Sequence, residues 1–414
     1  MKKLSVHLSN HPGQDRPVGV LAESNRKIYF EYDIEFLKAP LWLSPFKLPP
    51  EPGLQEHRDL SFGPLFGLFD DSLPDGWGRL LMDRHFRQLG LPPETLSPLD
   101  RLAYMGTRGM GALSYHPPAP SIDRQADALD LHPLAQEAYR VLEGSAADVL
   151  PELLIAGGSP GGARPKVLVG VCGDKMISGA DLLPAGYRAW IVKFHSKHDA
   201  TEDGRIEYAY SKMAQAAGLD MPPTRLFTTP EGEAFFGVER FDRQDNQRIH
   251  THTFGNLIHS NFRIPGCDYE QLIKTTRVLT KNQADVVAVF RQMVFNILAH
   301  NRDDHVKNFA FLLNSQNEWR LTPAYDLTFT HGPGGEHTMT VAGEGRSPQN
   351  KHIMQIADGA GISPGLAREI IAQATHALSD WESFADEAGL SKGTTRRIAK
   401  ALLRVPSDDA FLDG

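Results

Sequence analysis

The feature that most constrains the fold is a helix pattern that runs into a polar loop and then into a hairpin pattern. The polar loop is 299–308 (AHNRDDHVKN), and after it the runs NFAFLL and EWRLTPAYDL flank the turn NSQN. Before the loop, apolar side chains recur at the spacing of one helix face, which predicts a buried helix. They are Val286, Phe290, Val294 and Ile297. The sequence therefore predicts that a helix and a hairpin hold the polar loop from both sides.

The polar loop has the RD-x-x-x-x-N spacing of a protein-kinase catalytic loop. Asp303 is predicted to accept the proton of an attacking hydroxyl. The amide oxygen of Asn308, five residues on, and the carboxylate of Asp326 after the hairpin are predicted to bind Mg²⁺, which prefers hard oxygen ligands. Only the aspartate of the kinase D-F-G triplet is present, because Leu327 and Thr328 follow it. The alternative is a solvated charged loop without chemistry.

A glycine-rich segment, 157–166 (GGSPGGARPK), lies between two strand patterns. Its four glycines let backbone N–H groups approach phosphates closely. The spacing is not that of a Walker A motif, and a strand rather than a helix follows, which excludes a Rossmann fingerprint. A plain Gly-Pro loop is the alternative to a phosphate-binding role.

Lys193 stands in the apolar strand pattern WIVKF. A lysine there is unfavourable unless its ammonium meets a phosphate or a carboxylate. The pattern matches the Val-Ala-Ile-Lys strand of kinases, in which lysine holds the α- and β-phosphates. Glu207, early in the next helix pattern, is the predicted ion-pair partner. An edge-strand lysine that reaches water is the alternative.

The order of elements predicts an α+β chain with a two-lobed protein-kinase-like fold, a small N-terminal α/β subdomain and a mainly helical C-terminal lobe. The predicted boundaries are 1–116, 135–250 and 251–414, with the Pro-rich run HPPAPSIDRQ as the first linker. Strand patterns are predicted over LPELLIAGG, RPKVLVGVCG and RAWIVKFHS, and a hairpin flanks the turn ESN. Helices are predicted after Pro74 and from Leu134 to Leu142.

Composition limits the partners and the compartment. The net charge of −8 gives no general attraction for polyanions. Two cysteines are too few for a disulfide framework, there is no signal-peptide pattern, and no apolar run is long enough to span a bilayer. We expect a cytoplasmic protein without a membrane partner. The histidines form no HExxH or Cys/His pattern, so we expect roles other than metal binding.

These motifs resemble the HipA family of serine/threonine kinase toxins. This chain has segments that follow one another in the order of the family's motifs, namely SPGGARPK, WIVKFH, GVERFDR, RDDHVKNF and PAYDLT. It also has stretches that look like the family's N-terminal subdomain, namely FEYD, LPDGWGRLL and DRLAYMGTRGMGAL. The resemblance covers nearly the whole chain. It implies a kinase that uses ATP and Mg²⁺.

The resemblance also implies roles for individual residues. Asp303 is the catalytic base, Asn308 and Asp326 hold Mg²⁺, and Ser159 is the serine whose autophosphorylation silences the enzyme. A phosphate on Ser159 cannot occupy the same binding segment as the ATP phosphates, because both are anionic and repel each other. Glu239, Arg240 and Phe241 form the hinge that reads adenine. The full set of nucleotide contacts implied is Gly161, Gly162, Ala163, Arg164, Pro165, Lys166, Lys193, Glu239, Arg240, Phe241, His305, Lys307, Asn308, Tyr325 and Asp326.

The family further implies partners. A small helix-turn-helix antitoxin would dock on the chain and carry it to operator DNA, and the protein substrate would be an aminoacyl-tRNA synthetase. Three other interpretations remain open. They are a catalytically idle co-repressor, a small-molecule phosphotransferase on the same fold, and a metal-dependent phosphohydrolase built on Asp303, Asp304 and His305.

Overall fold

The computed structural model describes most of the chain. The described residues are 1–118, 128–144, 153–154, 161–179, 182–195 and 202–402. The chain divides into two compact units. The first unit comprises Met1–Gly204, Phe227–Asn261 and Leu312–Glu318, and the second comprises Arg205–Leu226, Phe262–Phe311 and Trp319–Gly414. The predicted three-part division stays a prediction.

The first unit begins with an antiparallel five-stranded sheet in the order β4-β3-β2-β1-β5. Its strands are β1 (Lys2–His11), β2 (Gln14–Ser24), β3 (Lys27–Tyr32), β4 (Leu54–Glu56) and β5 (Leu113–His116). The predicted hairpin around ESN is confirmed, since Ser24 pairs with Lys27. Asn25 and Arg26 both have positive φ, 51° and 62°, which is the two-residue turn that matches strand twist.

Five α-helices of the first unit lie between residues 34 and 143. They are α1 (Ile34–Lys38), α2 (Gly67–Asp70), α3 (Gly76–Gln88), α4 (Pro98–Met105) and α5 (Leu131–Glu143). The predictions for α3 and α5 are confirmed. The strand predicted over LPELLIAGG is wrong at Leu153 and Leu154, which are helical, because a short apolar run does not distinguish strand from buried helix. The other residues of that run lie outside the described residues.

A second sheet of the first unit has the order β7-β6-β8-β10, and β9 from Phe227 onward lies at its edge. The strands are β6 (Lys166–Cys172), β7 (Lys175–Ser178), β8 (Arg188–Lys193), β9 (Thr224–Thr228) and β10 (Ala234–Glu239). Side chains of α3 and α5 pack with β6 and β8 in one apolar core, which includes Trp77, Ala138, Val167 and Val192. The short strands β11 (Arg243–Gln244), β12 (Gln247–Arg248) and β13 (His250–Thr253) and the helix α7 (Phe254–Ile258) follow later in the chain.

The second unit is mainly helical. Its helices are α6 (Asp203–Ala216, which starts at the boundary), α8 (Tyr269–Thr280), α9 (Gln283–Leu298), α10 (Asn350–Gly359), α11 (Pro364–Ser379), α12 (Trp381–Glu387) and α13 (Lys392–Leu402). The predicted apolar face of α9 is confirmed, because Val286, Phe290 and Val294 are fully buried. The predicted hairpin is confirmed as β14 (Ala310–Leu313) and β15 (Trp319–Leu321), with the Thr322 N–H donating to the Ala310 carbonyl at 3.0 Å.

The chain thus combines a β-rich N-terminal part with a helical C-terminal region, as predicted. Among the described helices, none has both the length and the apolar character that crossing a bilayer requires.

Candidate active site

Asp304 anchors the polar loop from inside the second unit. Its carboxylate is buried and accepts hydrogen bonds from the Tyr269 hydroxyl at 2.7 Å and the Thr338 N–H at 2.9 Å. The Nδ1 atom of His337 lies 2.9 Å from the same carboxylate. Three partners on two separate segments therefore fix this loop position, and a buried carboxylate needs such partners.

Asp303 has the opposite environment, although it is the adjacent residue. Its side chain is exposed, while its carbonyl accepts a hydrogen bond from the Asn308 side-chain nitrogen at 2.7 Å. Asn308 itself is buried, and this bond directs its amide oxygen away from the Asp303 carbonyl. The loop thus presents an accessible carboxylate and an oriented amide oxygen, the two groups predicted to act as base and metal ligand.

The remaining residues of the loop are held by local contacts. The His305 ring accepts a hydrogen bond from the Lys307 N–H at 3.2 Å and so caps a 3₁₀ turn, Val306–Asn308. The Lys307 ammonium lies 4.9 Å from the centre of the Phe262 ring, within cation–π range. The Tyr325 hydroxyl donates to the Lys307 carbonyl at 2.7 Å. These contacts bring together His305, Lys307, Asn308 and Tyr325, and their role as nucleotide contacts stays a prediction.

Asp326 has a left-handed backbone, with φ of 57°, and an exposed side chain. A residue with a side chain rarely adopts this conformation, and such strain persists where the surrounding structure enforces it. Here the neighbours are fixed, because Leu327 is buried and the Ala324 N–H donates to the Asp220 carbonyl at 2.8 Å. Asp326, the residue in this strained conformation, is the one predicted to serve as the second Mg²⁺ ligand.

The donor set fits Mg²⁺. The described residues contain no group of three or more His, Cys, Asp or Glu side chains that could hold a metal ion by themselves. Asn308 and Asp326 each offer a hard oxygen, and Mg²⁺ commonly takes one or two protein oxygens and fills its shell with phosphates and water. The chemistry of these two residues therefore suits a metal that arrives with a nucleotide.

Two buried asparagines extend the hydrogen-bond network around Asp304, and sequence analysis missed both. The Asn301 side chain donates to the Asn296 amide oxygen at 2.9 Å, and the Asn296 nitrogen donates to the Tyr269 hydroxyl at 3.0 Å. Burial, aided by the Asp304 carboxylate, raises the pKa of Tyr269 well above its usual value, so the hydroxyl keeps the proton that it donates. Asparagine within the apolar pattern of α9 was the signal that could have indicated this network.

In the first unit, two lysines lie side by side on neighbouring strands of the second sheet. Lys166 of β6 is the direct antiparallel partner of Lys193 of β8. Lys166 is buried, and Lys193 is half-buried with its ammonium 5.8 Å from the centre of the Phe236 ring. Like charges directly opposite each other are destabilising, and an anion between them relieves the repulsion. The pair suits the phosphate-binding role predicted for both lysines.

The described part of the glycine-rich segment is held by the start of α3. The Gly162 N–H donates to the Asp75 carboxylate, and the Trp77 N–H donates to the Gly162 carbonyl at 3.1 Å. The Trp77 ring N–H donates to the Lys166 carbonyl at 3.0 Å, and the Lys166 ammonium donates to the Gly161 carbonyl. The sequence analysis predicted neither of these contacts of Asp75 and Trp77.

The C-terminal end of the glycine-rich segment is also held in place. Arg164 forms an ion pair with Asp203 at 3.0 Å, and the Pro165 carbonyl accepts from the Phe194 N–H at 2.8 Å. Ala163 is exposed. Ser159, the predicted autophosphorylation site, lies outside the described residues.

The predicted adenine-reading residues have different surroundings. The Arg240 guanidinium makes two hydrogen bonds to Asp242, at 2.9 and 2.8 Å. The backbone N–H of Arg240 donates to the Ala189 carbonyl at 2.8 Å. Burial raises the pKa of Glu239, and Phe241 is half-buried. Glu207 is buried in α6. The adenine contacts and the pairing of Lys193 with Glu207 stay predictions.

Two buried histidines bind neighbouring protein groups. The Nε2 atom of His250 lies 2.9 Å from the Leu43 carbonyl. His252 contacts the Asp71 carboxylate through Nδ1 and lies 3.0 Å from the Ser44 hydroxyl through Nε2. Their alternation along the sequence is explained by β13, on which both side chains face the interior.

Two family models match the chain. A model described as the HipA-like C-terminal domain matches residues 158–402, and a model described as the HipA N-terminal domain matches residues 13–116.

Curated relatives and a solved structure are also similar to this chain. The putative kinase Y4mE of Sinorhizobium fredii is 27% identical over 49% of this chain and 47% of its own length, and the putative kinase Y4dM is 26% identical over 34% and 37%. The chain thus spans less than half the length of these relatives. The HipA chain from a complex of Shewanella oneidensis HipA, HipB and operator DNA has a TM-score of 0.71 and 18% identity, and the match covers 97% of this chain and 96% of that one. This likeness confirms the predicted fold.

Proposed function

This chain belongs to the HipA family, and we propose that it is an ATP-dependent kinase that phosphorylates serine or threonine residues of a protein. The observation that carries the proposal is the polar loop, in which buried Asp304 anchors an exposed Asp303 next to the oriented amide of Asn308. The names of the Sinorhizobium fredii relatives, both putative kinases, agree with it.

The proposed roles follow from the chemistry of each side chain. Asp303 accepts the proton of the substrate hydroxyl, and Asn308 and Asp326 hold Mg²⁺. When bound, the metal neutralises the charge on the phosphates. Lys193, with the segment 161–166, binds and orients the phosphates. Catalysis then consists mainly of positioning and electrostatic stabilisation.

The finer proposals rest on the sequence. Glu239, Arg240 and Phe241 read adenine, with His305, Lys307 and Tyr325 as further nucleotide contacts, and Glu207 pairs with Lys193. Phosphorylation of Ser159 silences the enzyme. An aminoacyl-tRNA synthetase is the proposed substrate.

We also propose a helix-turn-helix antitoxin as partner, through which the chain reaches DNA. The support is that the Shewanella oneidensis HipA chain of the same fold was solved together with HipB and operator DNA. The net charge of −8 agrees with indirect rather than direct contact to DNA.

The kinase proposal is tested by separating nucleotide binding from turnover. Asp303→Asn should bind Mg-ATP like the wild type but form no ADP, since the base acts only in the chemical step. Lys193→Ala should weaken the binding of Mg-ATP itself. Asp358→Asn, an exposed aspartate on α10 of the same unit, is the matched control and should leave both readouts unchanged. A wild type that neither binds ATP nor forms ADP would favour the co-repressor interpretation.

A further inference from the structure

The second unit contains a segment to which the proposed function gives no role. It comprises residues 327–349, between Asp326 and the start of α10. In protein kinases the stretch after the metal-binding aspartate carries the residue whose phosphorylation activates the enzyme. Such a phosphate orders the stretch by pairing with arginine side chains. The contacts of the segment 327–349 therefore indicate whether this chain needs a phosphate for the same purpose.

Arg302, the residue before the predicted base Asp303, contacts the segment through main-chain oxygens. Its two terminal nitrogens donate hydrogen bonds to the Gly335 carbonyl and, at 3.3 Å, to the Arg346 carbonyl. Its Nε atom is buried, so it presents no donor to solvent. One guanidinium thus joins two separate positions of the segment, and it does so through carbonyl groups rather than through a phosphate.

The main chain of the polar loop contacts the segment as well. The Arg302 carbonyl accepts hydrogen bonds from the Thr338 N–H at 3.1 Å and from the Thr338 hydroxyl at 3.2 Å. The Asp304 carboxylate accepts from the same N–H at 2.9 Å. The residues on both sides of Asp303 are therefore bonded to the segment, which fixes the main chain that carries the Asp303 carboxylate.

An aspartate holds the later part of the segment. Asp268, which caps α8, accepts hydrogen bonds from the Thr340 hydroxyl at 2.6 Å and from the Gly343 N–H at 2.8 Å. The His337 N–H donates to the Gly345 carbonyl at 2.8 Å. Hydrogen bonds to an ionised acceptor are the stronger kind. Asp268 thus provides the anionic acceptor that a phosphate provides in an activated kinase.

Two glycines show how closely the segment approaches Arg302. Gly332 has φ of +69°, and a Cβ atom there would lie 2.7 Å from the Arg302 Cβ and 2.1 Å from the Glu336 carbonyl oxygen. Gly334 has φ of +64°, yet a Cβ there would meet no atom within 4 Å. Both positions favour glycine for its conformation, but only Gly332 is also required by its contact with Arg302.

Most hydroxyl groups of the segment take part in the protein's own contacts. Thr338 is buried, the Thr340 hydroxyl donates to Asp268, and the Thr330 hydroxyl accepts from the Gly332 N–H at 3.2 Å. Ser347 has an exposed side chain. A test of phosphorylation in this segment therefore has to include Ser347.

We propose that Arg302 is a positioning residue that holds the segment 327–349 through main-chain hydrogen bonds, so that the enzyme is active without phosphorylation of this segment. The inference rests on the proposed kinase function and deepens it by assigning how the segment is kept in place. Arg302 acts through Asp303, because its contacts and those of Asp304 fix the backbone on either side of that residue.

The time course of ADP formation tests the independence from phosphate. Wild-type protein is treated with a broad-specificity phosphatase, separated from it and mixed with Mg-ATP. ADP should form from the first time point without a lag, and mass spectrometry of peptides from 327–349 should find no phosphate. Ser347→Ala should form ADP at the wild-type rate. A lag that ends as phosphate appears in this segment would overturn the proposal.

Substitutions test the role of Arg302. Arg302→Ala should form ADP about tenfold more slowly but bind Mg-ATP as tightly as the wild type, because the lost hydrogen bonds position the base and not the nucleotide. Hydrogen exchange of the amides of 335–338 should become about tenfold faster. Gly332→Ala should reproduce both changes, whereas Gly334→Ala and Arg368→Ala, an exposed arginine on α11, should reproduce neither. Arg302→Lys keeps the charge without the planar set of donors and should form ADP at an intermediate rate.

Hydrogen exchange requires no ATP, so it separates this inference from the kinase proposal. Wild-type protein that neither binds Mg-ATP nor forms ADP would overturn the kinase function. Unchanged exchange in Arg302→Ala would overturn the role of Arg302, whether or not the chain is a kinase. Equal effects of Gly332→Ala and Gly334→Ala would also overturn it, because they would trace the loss to glycine conformation alone. Should thermal unfolding show that Arg302→Ala is not folded, the comparison of the two glycine variants decides.

Discussion

Substitution of Gly76 by alanine would test how the start of α3 supports the glycine-rich segment. Gly76 has φ of +37°, a backbone conformation that side chains disfavour. A Cβ atom there would lie 2.6 Å from the Ala163 Cα and 2.7 Å from the Gly162 carbonyl oxygen. Both are backbone atoms, so no side-chain rotation can relieve the overlap, and Gly162 and Ala163 must move.

The magnitude has two parts. The left-handed conformation costs an alanine about 1 kcal/mol, and overpacking against fixed atoms adds roughly 1–3 kcal/mol. Gly90 provides a matched control, since its φ is +73° and a Cβ there would meet no atom within 4 Å. Gly90→Ala therefore carries only the conformational part, and the difference between the two variants isolates the contact with Gly162 and Ala163.

The assay combines thermal unfolding with titration of Mg-ATP. Gly76→Ala should unfold at a lower temperature than Gly90→Ala. It should also bind Mg-ATP about tenfold more weakly, a free-energy change of about 1.4 kcal/mol, whereas Gly90→Ala should bind normally. Equal melting temperatures together with unchanged ATP affinity in both variants would refute the reasoning that α3 positions the phosphate-binding segment.

The remaining predictions concern stability. Asp304→Asn should destabilise the protein by roughly 2–4 kcal/mol in urea unfolding, because a buried amide cannot accept all three hydrogen bonds; an equal loss in Asp358→Asn would contradict this. Burial lowers the pKa of His250 to about 4, so the folded state keeps this histidine neutral. The free energy of unfolding should therefore fall between pH 6.5 and pH 4 by on the order of 3 kcal/mol. His250→Gln should flatten this pH dependence, and an unchanged slope in the variant would contradict the role of His250. Trp77→Phe removes the hydrogen bond to the Lys166 carbonyl and should lower stability by about 1 kcal/mol; a melting temperature equal to that of wild type would show the bond to be unimportant.

Local patterns were sufficient for much of the fold. The period of apolar residues predicted α9 and the hairpin after it, because both depend on neighbours within a few positions. The spacing from Asp303 to Asn308 likewise identified a loop that the structure holds in one geometry. The error at Leu153 and Leu154 arose where the apolar run was too short for a period to be measured.

Contacts between distant segments could not be predicted in this way. Asp75 and Gly162 are separated by 87 positions in the sequence, yet they share a hydrogen bond, and no local period signals such a pair. Asp303 and Asp304 are chemically identical neighbours, and only the burial of Asp304 by Tyr269 distinguishes the anchor from the exposed carboxylate. Roles of this kind depend on tertiary structure rather than on residue type.

Intact-mass spectrometry after incubation with Mg-ATP tests the central claim, phosphoryl transfer by this chain, most directly. The account predicts one added phosphate on the wild type and none on Asp303→Asn or Ser159→Ala, with Asp358→Asn behaving like the wild type. Phosphate added to Asp303→Asn at the rate of the wild type would contradict the assignment of the base and, with it, the proposed use of the loop.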